Sequence, residues 1–231
     1  MLQITLLTLC GTLFQLGHSA DTWCPDSSMS IAFEQAAMDA HNDFRSLVAR
    51  GLVQNGMYVG VNAPMAANMQ SMNYDCNAEY AAYEHVKTCD KKPSPPEERP
   101  DSFNFLENMH ILETNETSLN DSFIAQTAIS TWANELKDTG IPLDMVFTRE
   151  VSQNKMITNV TKMIWAKLWT IGCATQKCDR FYFTSCMYFY RANKLGKNIY
   201  NIGATCNECR GMVECKALKG LCPFTPFDPD E

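Results

Sequence analysis

The 231 residues contain no Gly-x-Ser-x-Gly elbow, no His-Glu-x-x-His pair and no phosphate-binding loop. That removes the local frameworks of a hydrolase serine, a zinc protease and a nucleotide site. No basic cluster offsets the net charge of −7, so nucleic acid and anionic membrane are poor partners. The integrin-type tripeptides Arg-Gly-Asp and Lys-Gly-Asp are missing as well. Residues 1–20 hold no Lys, Arg, Asp or Glu. Beyond them no stretch approaches the ~20 apolar residues of a membrane-spanning helix, so no membrane insertion is expected.

What is present points outside the cell. Leu2 to Leu16 is charge-free, rich in Leu, Ile and Thr, and followed by Gly-His-Ser-Ala, small residues suited to signal-peptidase cleavage. The run is too short to span a bilayer, so residues 1–20 read as a secretory signal peptide and the protein as extracellular. Removing Cys10 with that leader leaves ten cysteines: Cys24, Cys76, Cys89, Cys173, Cys178, Cys186, Cys206, Cys209, Cys215 and Cys222. An even number in an oxidising compartment favours complete pairing, with no connectivity assigned. Cys206-x-x-Cys209 invites a zinc reading, but Cys215 and Cys222 lack ligand spacing, and disulfides are the better account. Asn115, Asn120 and Asn159 each open an Asn-x-Ser/Thr sequon, giving three expected glycosylation sites.

Apolar periodicity predicts a helix after Ser30, with Phe33, Ala36, Ala37, Ala40, Phe44, Leu47 and Val48 on one stripe and Gly51 as its stop. A second helix is expected from Cys76 to about Val86, and a third from about Ser122 to Leu136. Between them, Lys91 to Pro100 carries four prolines and reads as an exposed loop. Val160, Met163, Ile164 and Lys167 follow helical spacing, and Trp169 to Ala174 then switches to a β-favouring run. Phe181 to Tyr190 alternates as a strand, with Thr175 to Arg180 as the hairpin connection. The Met-rich stretch Met65 to Met72 suits adaptable core better than a metal site.

Several phrases in order resemble the CAP superfamily of cysteine-rich secretory, antigen 5 and pathogenesis-related proteins. They are Ala40-His41-Asn42-Asp43-Phe44-Arg45, Glu107-Asn108, Trp132-Ala133-Asn134-Glu135, Asn159 to Trp165 with Gly172-Cys173-Ala174, and Ser185-Cys186-Met187-Tyr188. The tail after Lys194 is similar to the cysteine-rich extension of single-domain secreted nematode members. The resemblance implies an α+β fold, an α-β-α sandwich with helices on both faces of a small antiparallel sheet. It divides the chain into a leader (1–20), a CAP domain (21–193) and a disulfide-stapled extension (194–231).

The family's cleft typically holds two His and two Glu. By resemblance Glu107 and Glu135 supply the carboxylates, but Asn159 stands where one His is expected and no His follows Cys89. An amide cannot replace imidazole as a zinc donor or as a proton carrier near neutral pH. The cleft is therefore read as a remnant, without catalytic residues, metal or cofactor, and His41 as a residue serving the fold. The resemblance favours a secreted, non-enzymatic parasite effector acting on a host cell-surface protein, an integrin of platelets or leukocytes being the leading target class. The carboxylates suited to such a contact are Asp144, behind Pro142, and Glu97 and Glu98 in the proline-rich loop. The alternative is a sterol or fatty-acid carrier with a cavity lined by Phe103, Phe105, Met109 and the Met65–Met72 stretch; a metal-dependent hydrolase ranks third.

Overall fold

The computed structural model describes residues 24–25, 27–94, 105–188, 192–209, 215 and 219–223. The expected leader, Glu97, Glu98 and Phe103 lie outside them. Helix α1 (Ile31–Ala49) starts where Ser30 accepts a hydrogen bond from the Phe33 N–H, and Gly51 follows its end with φ of 68°, a left-handed turn that glycine adopts without strain. Helix α2 (Cys76–Val86) is capped by Asp75, which accepts from the N–H groups of Asn77 and Ala78. Helix α3 (Asp121–Asp138) is capped by Asn120 through the Phe123 N–H. Two short helices follow, α4 (Arg149–Gln153), which sequence periodicity does not reveal, and α5 (Thr158–Met163). Among the described residues, no helix is long and apolar enough to cross a membrane.

Four strands, β1 (Asn73–Tyr74), β2 (Leu106–Glu113), β3 (Thr170–Lys177) and β4 (Phe181–Tyr188), form one sheet in the order β1-β3-β4-β2. β4 pairs antiparallel with both β2 and β3. β1 adds a two-residue parallel edge to β3, so the sheet is mixed rather than purely antiparallel. The hairpin is also tighter than expected: Thr175, Gln176 and Lys177 stay in the ladder opposite Thr184, Phe183 and Tyr182. Helix α2 covers one face, where Ala78, Ala81, Ala82 and Val86 meet Ala174, Phe183 and Met187. Helices α1, α3 and α5 cover the other, burying Phe33, Ile129, Trp132 and Val160 around Tyr188. This is the expected α-β-α sandwich. Gly172 shows why the layers sit so close: a Cβ there would stand 2.1 Å from the Glu79 nitrogen and 2.4 Å from the Asp75 carbonyl oxygen.

The ten cysteines form five bridges: Cys24–Cys76, Cys89–Cys178, Cys173–Cys186, Cys206–Cys215 and Cys209–Cys222. The zinc alternative at Cys206 and Cys209 falls with them. Cys173 and Cys186 also face each other in the β3–β4 ladder. The described part of the tail packs back on the domain. Ile199, Tyr200 and Leu221 join the α1/α3 core, the Tyr200 hydroxyl donates to the Pro64 carbonyl at 2.8 Å, and Ser46 Oγ donates to the Lys219 carbonyl at 2.6 Å.

Arg45, fully buried in α1, ties these parts together. Its Nε and Nη2 donate to the Gln70 carbonyl at 2.9 and 2.7 Å. Nη1 donates to the carbonyls of Met163 and Trp165 at 2.7 and 2.9 Å, and Nη2 to those of Ala166 and Leu168, both at 3.1 Å. The guanidinium fork thus gathers the turn between α5 and β3, adding to the Leu168 N–H on the Trp165 carbonyl and the Gln70 N–H on the Ala166 carbonyl. Burial lowers its pKa to about 9, still charged at neutral pH. Arg45→Ala removes all of these guanidinium bonds, so chemical denaturation should show a loss on the order of 3–5 kcal/mol. Arg45→Lys, with a single point charge and no fork, is expected to recover only a minor part.

Candidate functional site

Glu135 leaves the last turns of α3 toward the start of α5. Ile157, at the α5 N-cap position, makes no side-chain capping bond, and Glu135 takes over that task. Its Oε2 accepts from the Asn159 and Val160 N–H groups at 3.1 and 2.8 Å. Its Oε1 accepts from Asn159 Nδ2 at 2.6 Å. A carboxylate at a helix N-terminus meets free N–H groups and the positive end of the dipole. Burial still outweighs these bonds and pushes the Glu135 pKa above its usual value. Beside it, Asn108 Nδ2 donates to the Asn159 carbonyl at 3.2 Å and to the Tyr188 hydroxyl at 3.0 Å. The Tyr188 hydroxyl lies 2.8 Å from His41 Nε2, and His41 Nδ1 lies 2.8 Å from the Ala37 carbonyl. With Nδ1 donating to that carbonyl, the chain runs one way, Tyr188 giving its proton to Nε2. Burial drives the His41 pKa to about 4, so the imidazole is neutral and structural, as expected.

Glu107 does not join that cluster. Strand alternation turns it to the α2 side, where Oε1 accepts from Ser185 Oγ at 2.6 Å and lies 2.5 Å from His85 Nδ1. Oε2 accepts from the Ser94 N–H at 2.8 Å. His85 Nε2 faces Asp90 Oδ1 at 3.8 Å, and the ring packs edge-on against Phe183. Burial pulls the His85 pKa down, but the Glu107 hydrogen bond and charge, with Asp90, more than reverse it. Burial pushes Glu107 up, yet the bonds from His85 and Ser185 and the Ser94 N–H hold it below the usual range. Each shift favours the charged form. No sequence motif places His85 here; it arrives from the last turn of α2, close to the Cys89–Cys178 bridge. His110 lies elsewhere, with Nε2 3.3 Å from Thr131 Oγ1.

The remaining expected residues are dispersed. Asp144 is exposed in a turn closed by the Met145 N–H on the Pro142 carbonyl at 3.0 Å, and its Oδ1 accepts from the Val146 N–H at 3.0 Å. Asn115 and Asn120 are exposed. Of the residues expected to line a carrier cavity, Phe105, Met69 and Met72 are buried core, Met109 packs against the α2-side core, and Met65 is exposed.

A family model described as the cysteine-rich secretory protein family, CAP, matches residues 38–188. The chain belongs to this family. Among relatives, the Ancylostoma secreted protein of Ancylostoma caninum is 34% identical over 86% of this chain, which spans only 46% of that longer protein. Hookworm platelet inhibitor 1 of the same organism is 26% identical over 74% of this chain and 70% of its own length. The crystal structure of NaASP2 with Zn2+ superposes with a TM-score of 0.77 at 32% identity, covering 87% of this chain and all of that one.

The residues around Glu135 do not suit a zinc ion: Glu135 is consumed by capping α5, and Asn159 offers an amide in place of an imidazole. Among the described residues, the groups of close His, Cys, Asp or Glu ligand atoms are Cys206–Cys209–Cys215 and Cys24–Glu34–Glu79; neither includes Glu107 or Glu135. In the first, every sulfur is in a disulfide.

Two outcomes test this arrangement in the CAP domain. His85 binds its proton more tightly when folded, so its contribution is complete below pH 6.5 and fades as pH rises through its raised pKa. Glu107 contributes fully above pH 4.5, its unperturbed value, and loses this as pH falls through its lowered pKa. The pair therefore stabilises most between those two values. Urea unfolding of wild type and His85→Gln should differ more at about pH 5.5 than at about pH 8.5; an equal gap would refute the ion pair. Asn159 Nδ2, the atom a glycan would occupy, is spent on Glu135. Mass spectrometry of protein from a glycosylating host should find glycans at Asn115 and Asn120 and an unmodified Asn159.

Proposed function

We propose that this CAP protein is a secreted, non-enzymatic effector that acts through its surface on a host cell-surface protein, with an integrin as the target class. The observation carrying it is the cleft. Both carboxylates are committed to internal partners, one to a helix end and one to an ion pair, which supports a structural rather than a catalytic role for them. The relatives named as secreted proteins and as a platelet inhibitor favour the same direction.

Integrin-type receptors capture a ligand carboxylate on a bound divalent ion, which needs an acid on an exposed turn. Asp144 meets that requirement. It follows Leu143, which is 36% exposed, and the Pro142–Met145 turn fixes its backbone. Leu143-Asp144-Met145 is similar to a Leu-Asp-Val recognition sequence. Platelet aggregation and adhesion of integrin-bearing cells, measured with wild type, Asp144→Ala and Glu97→Ala/Glu98→Ala, separate the candidates. Wild type should inhibit and Asp144→Ala should lose most of the effect. Equal inhibition by Asp144→Ala removes the Asp144 contact, and an inert wild type removes the integrin reading.

One feature favours the carrier alternative. A groove of about 420 Å³ runs between α1 and α3, lined by Phe44, Leu47, Leu52, Val53, Ala133 and Lys137 among others. Its apolar walls and single ammonium suit a fatty acid rather than a neutral sterol. If this is the working surface, a fluorescent fatty acid binds wild type and is lost from Leu47→Glu.

A further inference from the structure

Glu34 and Glu79 stand in the first turns of α1 and α2, and both are almost wholly buried, at 2% and 3% exposure. The two helices bring them to one corner, where ligand oxygens of both residues and the Cys24 sulfur lie within 4.8 Å of one another. Cys24 is committed to Cys76, so the sulfur is not a free ligand. Two ionised carboxylates cannot occupy such a corner together without a cation. Donors reach both, but unevenly: Ser27 and the Cys24 backbone also bond Glu34, yet one of its oxygens is left out. Ser27 Oγ donates to Glu79 Oε1, and the Tyr74 hydroxyl sits 2.8 Å from Glu79 Oε2. Glu34 Oε2 is buried with no hydrogen-bond donor.

We infer that Glu34 and Glu79 share one proton, and that this proton latches a strap formed by Cys24 and Ser27 to Met29 onto the first turns of α1 and α2. A proton on Glu34 turns its orphaned oxygen into a donor toward Glu79 and removes the repulsion in one step. Ser27, which bonds Glu79, also accepts the Met29 N–H at 2.8 Å, and Met29 packs against both cores. Its sulfur lies 3.2 Å from the Thr175 N–H on β3. The latch thus holds a short strap over the sheet edge. The groups facing the pair are Ser27 and Cys24 of the strap, Tyr74 of β1, and each carboxyl from its own helix. Among the described residues, no Lys, Arg or His acts on Glu34. When the proton leaves, the cheapest relief is to lift the strap and admit water, while Cys24–Cys76 keeps it tethered.

Burial first, and then the Glu79 charge, raise the Glu34 pKa from 4.5 to about 7. A carboxyl raised in this way stabilises the fold fully below pH 4.5, and the contribution is lost as pH rises through 7. From pH 5 to 8 the unfolding equilibrium constant should therefore rise by an amount on the order of a hundredfold from this pair alone. Glu34→Gln supplies an amide donor in place of the proton. The experiment compares wild type, Glu34→Gln and Glu79→Gln by hydrogen exchange of the strap amides and by carboxyl 13C titration, from about pH 5 to about pH 8. In wild type, strap protection should fall above neutral pH and one carboxyl should titrate near 7. In the Gln variants protection should be flat with pH. If both wild-type carboxyls titrate below pH 5, or if strap exchange keeps the same pH dependence in Glu34→Gln, the shared proton is refuted. Should Glu34→Gln fail to fold, the wild-type titration and Glu79→Gln decide alone.

Discussion

A cation without a carboxylate partner holds the molecule in register. Arg45 is charged, buried and answered entirely by main-chain carbonyls from Gln70 and from the turn between α5 and β3. An Asp or Glu partner would satisfy the charge but take the guanidinium away from those carbonyls. Using carbonyls instead lets a single side chain supplement the few main-chain bonds of an irregular segment. The cleft depends on this. The start of α5, where Glu135 and Asn159 meet, is positioned by the far end of the same short helix, which Arg45 grips.

Much of the fold is legible in the chain because its determinants are local. Ser30 and Asp75 announce helix starts, the stripe from Phe33 to Val48 sets a face, and Trp169 to Ala174 changes period where β3 begins. Helix α4 was not legible, since five residues carry too few apolar positions to show a period. The hairpin boundary was misjudged because Thr175 to Lys177 are polar, yet they pair across to β4. Glu107 and Glu135 were found by motif, but their separation onto two sides of the sheet follows from strand alternation. His85 could not be assigned from sequence: nothing local distinguishes it from a solvated helix-end histidine until β2 and β4 arrive. Glu34 and Glu79 were invisible for the same reason, each being an ordinary first-turn acid on its own helix.

The cleft illustrates how one replacement redistributes several partners. An imidazole at position 159 could hold a metal with one nitrogen; the amide instead turns both its side chain and its backbone N–H to Glu135. The carboxylate serves as a structural cap, held by two backbone N–H groups as well as the amide. Asn108 closes the same region from below by linking the Asn159 carbonyl to Tyr188 and so to His41. Polar groups that might face a ligand face one another.

The bridge between Cys173 and Cys186 has a bearing on how the protein matures. The two residues are direct neighbours across β3 and β4, and side chains alternate along each strand. A slip of one residue would send the two sulfurs to opposite faces, and a slip of two would carry them past bonding reach. The bridge therefore reads out register: only an aligned hairpin can close it, and the same alignment sets Tyr188 opposite Ile171.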